Sequence, residues 1–116
     1  MSMVTIWHNP RCSKSREALQ LLNEESGDSD IKIREYLKEN PSRDEIVNLL
    51  SLLKIKPLDL IRKGEAIYKE NFKGKELSDD EYIAALVEYP KLIERPIVIK
   101  DNKAVIGRPP HLVLDL

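Results

Sequence analysis

Met3-Val4-Thr5-Ile6-Trp7, running straight into His8-Asn9-Pro10-Arg11-Cys12-Ser13-Lys14-Ser15-Arg16, is the stretch on which the fold turns. The first five residues read as a central strand, apolar on consecutive positions because both faces of such a strand are covered. Asn9-Pro10 marks a turn. Beyond it, Ala18, Leu19, Leu21 and Leu22 recur on one helical face, predicting a helix from about 13 to 25 that ends at the Ser26-Gly27-Asp28 turn signal. Cys12 is therefore expected at a strand–turn–helix junction. Unpaired backbone N–H groups and the helix dipole stabilise an anion there. Arg11, Lys14, Arg16 and His8 add nearby positive or titratable groups. These conditions depress a thiol pKa and make sulfur nucleophilic. Lone cysteines are more often inert core residues, but no residue between Arg11 and Glu17 offers Cys12 an apolar face to join.

Moving outward, Ile31-Lys32-Ile33-Arg34-Glu35-Tyr36 alternates with period two and reads as a second strand. Strand, helix and strand in this order form a right-handed βαβ unit with parallel strands. From Glu39 to Pro90 the pattern is helical. Ser42 and Glu45 form a capping box, followed by a stripe of Ile46, Val47, Leu49, Leu50, Leu52 and Leu53. Pro57 opens a short helix through Leu58, Leu60 and Ile61 that stops at Gly64, with Arg62 at its end. Ile67, Tyr68 and Phe72 predict a further short segment. A second capping box, Ser78 with Glu81, starts a helix carrying Ile83, Leu86 and Val87 and closed by Pro90. Ile97-Val98-Ile99 and Ala104-Val105-Ile106 flank Asp101-Asn102-Lys103 and read as a hairpin. Pro109-Pro110 opens a short last helix. The order βαβ, helical insert at about 40–90, ββα predicts one α/β domain over residues 1–116: a thioredoxin-like core with a mixed four-stranded sheet and helices inserted between its halves.

Bulk properties bound the partners. Charged residues make up 34% and hydrophobic residues 41% of 116 residues, the balance of an ordinary globular domain. A net charge of -1 gives no general attraction to nucleic acid or to an anionic membrane. Met1-Ser2-Met3-Val4-Thr5-Ile6-Trp7 lacks the basic and long apolar regions of a signal peptide, and no apolar run exceeds Tyr82 to Val87. A cytoplasmic location is the expectation. Cys12 is the only cysteine, so no intramolecular disulfide can form. One cysteine and two distant histidines, His8 and His111, exclude a zinc site.

Three arginines stand at changes of chain direction: Arg62 near Gly64, Arg95 before Pro96, and Arg108 between Gly107 and Pro109. Singly, each reads as a surface ion-pairing residue worth little. The predicted topology brings the loop entering the third strand against the start of the first helix, and Pro96 is where a cis peptide is expected. That bond would turn Arg95 toward Cys12. Three guanidiniums and a helix N-terminus make a site for a tetrahedral oxyanion.

His8-Asn9-Pro10-Arg11-Cys12-Ser13-Lys14-Ser15-Arg16 resembles the opening motif of the arsenate reductase family of the glutathione- and glutaredoxin-coupled type. Glu94-Arg95-Pro96-Ile97-Val98 and Ile106-Gly107-Arg108-Pro109 look like that family's later motifs, and Leu60-Ile61-Arg62-Lys63 like its insert motif. The resemblance covers essentially the whole chain, in order, and is nearest to the short members that lack a C-terminal extension. It implies Cys12 as nucleophile, Arg62, Arg95 and Arg108 as oxyanion ligands, and His8 as a group that helps depress the thiol pKa. The implied substrate is arsenate, the implied co-substrate glutathione and the implied partner glutaredoxin, with no bound cofactor or metal.

Residue identities narrow the chemistry further. Position 15 is serine and no second cysteine exists, so the second thiol must come from another molecule. The phosphatase-like arsenate reductases need Cys-x5-Arg, but Ala18 occupies the sixth position after Cys12. Two other readings remain. A monothiol glutaredoxin-like glutathione oxidoreductase fits Cys12-Ser13-Lys14-Ser15 but has no use for three arginines. A Spx-type RNA polymerase-binding regulator shares the Arg-Pro loop but usually carries Cys-x-x-Cys.

Overall fold

The computed structural model of the protein describes residues 4–26 and 31–115. The predicted helix end at Gly27-Asp28 and the strand start at Met3 lie outside these residues. By internal contacts the chain divides into two compact units, residues 1–39 with 95–116, and residues 40–94.

The first unit is a four-stranded mixed sheet. Strands β1 (Val4–Trp7), β2 (Ile31–Arg34), β3 (Ile97–Lys100) and β4 (Lys103–Ile106) lie in the order β2-β1-β3-β4. β1 pairs parallel with β2, Val4 opposite Ile31 and Trp7 opposite Arg34. It pairs antiparallel with β3, Val4 opposite Lys100. β3 and β4 form the predicted hairpin, with Ile97 opposite Ile106. Its connection is shorter than expected, because Lys103 belongs to β4 and only Asp101-Asn102 turn the chain. Asp101 takes a left-handed φ of 56° there, a conformation that a short polar side chain tolerates.

Helix α1 (Ser13–Ser26) crosses between β1 and β2. It buries Ala18 and Leu22 against Val4, Ile6, Val98 and Val113. Full burial of such aliphatic side chains contributes roughly 1.5–3 kcal/mol each. Val113 comes from the last segment, Pro110–Asp115, which is a 3-10 helix. This is the thioredoxin-like arrangement that the element order predicts.

β2 ends at Arg34, two residues before the predicted end, and Tyr36–Lys38 form a turn. It is an edge strand, and Ile33 remains 50% exposed although alternation places it with Ile31. Arg34 instead lies over the Trp7 ring at 5.3 Å, and Trp7 stacks with Tyr36 at 6.3 Å between centroids. The chain thus leaves the edge strand by clasping aromatic faces.

The second unit is helical: α2 (Arg43–Leu53), α3 (Ala66–Asn71) and α4 (Asp79–Glu88), with 3-10 turns at Pro57–Leu60 and Pro90–Leu92. Both capping boxes form. Ser42 Oγ accepts from the Glu45 amide at 3.2 Å while Glu45 accepts from the Ser42 amide at 3.0 Å. Ser78 and Glu81 repeat the pattern. α2 buries Ile46, Leu49 and Leu50. Val47, expected on the buried stripe, is 44% exposed, because it lies roughly 100° around the helix from Ile46 and roughly 160° from Leu49. α2 ends on Lys54 in the left-handed conformation, φ 58°, where glycine is usual. Among the described residues no helix is long and apolar enough to cross a membrane.

One glycine fixes the approach of β4 to β3. A Cβ on Gly107 would lie 2.9 Å from Pro96 Cγ and 2.9 Å from Val113 Cγ1. The Gly107 amide also donates to the Pro96 carbonyl at 2.8 Å. Gly107→Ala is expected to destabilise the fold by about 1–3 kcal/mol through overpacking. Chemical denaturation would show it as a lowered midpoint with an unchanged slope.

Candidate active site around Cys12

β1 delivers the chain to His8, which is buried, and the His8 amide donates to the Arg34 carbonyl at 2.7 Å, extending the parallel ladder by one bond. The chain then turns. The Asn9 carbonyl accepts from the Cys12 amide at 3.0 Å, and Asn9 Oδ1 accepts from the Arg11 amide at 3.0 Å. Arg16 reaches back to donate to the Pro10 carbonyl at 2.9 Å. Cys12 itself is the N-cap of α1: its carbonyl accepts from the Arg16 amide at 3.0 Å. A residue in that position offers its side chain to the amides two and three residues on.

The sulfur uses this position. Burial pushes the Cys12 thiol up, but the Ser15 amide, the hydrogen bond and charge of the Arg95 guanidinium, and the Lys14 amide together outweigh it, and the pKa falls below the ordinary thiol value. Each of these donors prefers the thiolate to the thiol. Cys12 is half-buried and unbridged.

Arg95 reaches the sulfur from the loop before β3, and the Arg95–Pro96 peptide is cis, as the sequence predicts. A second cis bond joins Arg108 to Pro109, which the sequence alone does not signal. Arg108 Nε donates to the Arg95 carbonyl at 2.7 Å, so the residue after β4 is tied to the one before β3. Cys12, Arg95 and Arg108 therefore form one connected group. Arg62 belongs to the helical unit, where its amide donates to the Leu92 carbonyl at 2.7 Å. Its guanidinium pairs with Glu65 at 2.8 Å and with Glu94 at 3.5 Å.

His8 faces Ser15. Its Nδ1 lies 2.7 Å from Ser15 Oγ. Burial lowers the His8 pKa, Glu35 opposes that, and Arg16 adds to it, with a net shift downward toward the neutral ring. The groups that lower the Cys12 pKa are the two amides and Arg95. His111, at the start of the last 3-10 helix, is exposed.

In the sequence Ser15 registers only as the place where a second cysteine is missing. Its side chain is 0% exposed and accepts from the Asn9 amide at 3.0 Å. The signal was present in the spacing. Ser15, Ala18 and Leu22 stand at i, i+3 and i+7, the positions of one helix face, and all three are buried.

Beside this turn a cavity of about 220 Å³ is lined by His8, Asn9, Pro10, Arg11, Glu35 and Leu37, among others. Among the described residues, no three His, Cys, Asp or Glu side chains are grouped to hold a metal ion.

The sequence pattern that defines the ArsC family matches residues 7–116, from the end of β1 onward. The chain belongs to the ArsC family. Its relatives include an arsenate reductase of Haemophilus influenzae, 44% identical over 115 residues, with 97% of each chain covered. The uncharacterized protein YfgD of Escherichia coli K12 is also 44% identical, over 97% of this chain and 95% of its own. Among solved structures, an arsenate reductase from Vibrio cholerae superposes with a TM-score of 0.89 at 44% identity, covering 97% of this chain and 96% of that one. The ArsC-family fold thus accounts for both halves of the sheet and for the helices between them.

Proposed function

We propose that this ArsC-family protein reduces arsenate to arsenite, with Cys12 as the nucleophile and glutathione and glutaredoxin as external reductants. The observation that carries this reading is the sulfur of Cys12 held under an arginine and two helix amides, which lower its pKa despite burial. The arsenate reductases of Haemophilus influenzae and Vibrio cholerae, alike over nearly the whole chain, supply the substrate.

In this reading the arsenate oxyanion is held by Arg95 and Arg108, with Arg62 as a third ligand. The Cys12 thiolate attacks arsenic; a sulfur–arsenic bond forms and one arsenic–oxygen bond breaks, its oxygen leaving as water after protonation. Arsenic remains at +5. A glutathione thiolate then attacks the Cys12 sulfur. The new S–S bond forms as the S–As bond breaks, and the released electron pair passes to arsenic, which leaves as arsenite at +3. Glutaredoxin attacks the mixed disulfide and returns the Cys12 thiolate. Cys12 is the only cysteine in the sequence, which supports a second thiol supplied by another molecule. His8, neutral and hydrogen-bonded to Ser15, supports the turn that carries the nucleophile.

The test is a steady-state assay of arsenite release with arsenate, glutathione and glutaredoxin, repeated with each omitted. Release that needs all three is expected. Deglutathionylation of a small mixed disulfide with no arsenite formed would replace this reading by a monothiol oxidoreductase.

A further inference from the structure

We propose that Ser15 is a positioning residue for the nucleophile: its hydroxyl closes a triangle of hydrogen bonds that holds the first turn of α1 against the sulfur of Cys12. This rests on Cys12 being the reactive group. The triangle has three sides. The Cys12 amide donates to the Asn9 carbonyl at 3.0 Å. The Asn9 amide donates to Ser15 Oγ at 3.0 Å. The Ser15 amide donates to the Cys12 sulfur. Both polar groups of the Asn9 backbone, and both the amide and the hydroxyl of Ser15, are engaged. The sulfur therefore sits at the corner of a closed figure rather than at the loose end of a loop.

The hydroxyl has one proton to place, and its oxygen already accepts from Asn9. The buried acceptor in reach is His8 Nδ1, 2.7 Å away. Donation to it leaves the imidazole hydrogen on Nε2. His8 thus acts on the thiolate at one remove, by orienting Ser15. Ser15 is 0% exposed, so water cannot replace a lost bond, and removal of the hydroxyl strands the Asn9 amide. A helix start alone would present amides to Cys12, but nothing in the helix would fix its first turn to residues 8 and 9.

The test uses the single cysteine. The pH dependence of iodoacetamide alkylation reports the Cys12 thiolate directly, with no arsenate present. Ser15→Ala is expected to raise the half-point by about half to one unit, the scale of a lost hydrogen-bond donor. Ser15→Thr and Ser15→Val have equal bulk and differ in the hydroxyl; threonine should lie near wild type and valine with alanine. Ala18→Gly loosens the same helix face without touching the triangle. It should lower the melting temperature and leave the half-point in place. Unmoved half-points in both Ser15→Ala and Ser15→Val would overturn the proposal, as would an equal rise in Ala18→Gly. A wild-type protein with a low half-point and no arsenite release would overturn the proposed reaction and leave the role of Ser15 standing.

Discussion

Cys12→Ser is expected to lower arsenite release by at least about a thousandfold, the scale on which loss of a nucleophile is felt. Two independent failures combine. A serine hydroxyl is not ionised by an arginine and two amides at neutral pH, so the first bond to arsenic does not form. Oxygen also cannot give up the electron pair that brings arsenic from +5 to +3, so no later step rescues the first. The fold should survive, because position 12 is a half-buried N-cap and serine is a preferred residue there. Thermal unfolding beside the arsenite assay separates the two outcomes. Activity within tenfold of wild type would remove Cys12 from the mechanism.

Arg95→Ala is expected to be the next most severe change, lowering kcat about a hundredfold to a thousandfold. The guanidinium does two things at once. It hydrogen-bonds and electrostatically stabilises the Cys12 thiolate, and in the proposed reaction it grips an arsenate oxygen. The first role predicts a pH signature. The thiol pKa is depressed in the folded protein, so the thiolate is present above that value and is lost as pH falls through it. The acid limb of the rate profile should therefore move to higher pH in Arg95→Ala, with the alkylation half-point moving alongside. Arg95→Lys keeps a charge without the planar fork and should fall between. A lowered kcat with an unmoved acid limb would confine Arg95 to oxyanion binding.

Local codes in the chain translated well. Ser42 with Glu45 and Ser78 with Glu81 fold as written, because a capping box needs only residues three apart. The strand–turn–helix around Cys12 and the hairpin between β3 and β4 are equally local. What depended on distant neighbours was less visible. The exposure of Ile33 follows from β2 lying at the sheet edge, and nothing within the alternation Ile31–Tyr36 says which strand is outermost. The left-handed end of α2 falls on Lys54, a residue that gives no stop signal. Position as a turn residue marked Arg62, but its carboxylate partners come from residues 65 and 94, and one of those is 32 positions away in the chain. Ser15 is legible as part of a helix face, but its hydroxyl meets residues 8 and 9 only once the turn between them has closed.

Arg108 illustrates a distinction between charge and shape. One nitrogen of its head is committed to the main chain of Arg95, 2.7 Å away, while the same delocalised cation extends past that contact. Lysine carries its donors and its charge on one terminal nitrogen, so a lysine braced here would hold its charge at the contact itself. A guanidinium at this corner makes the scaffold and its field inseparable, so the two loops it joins cannot drift apart without also carrying the positive charge away.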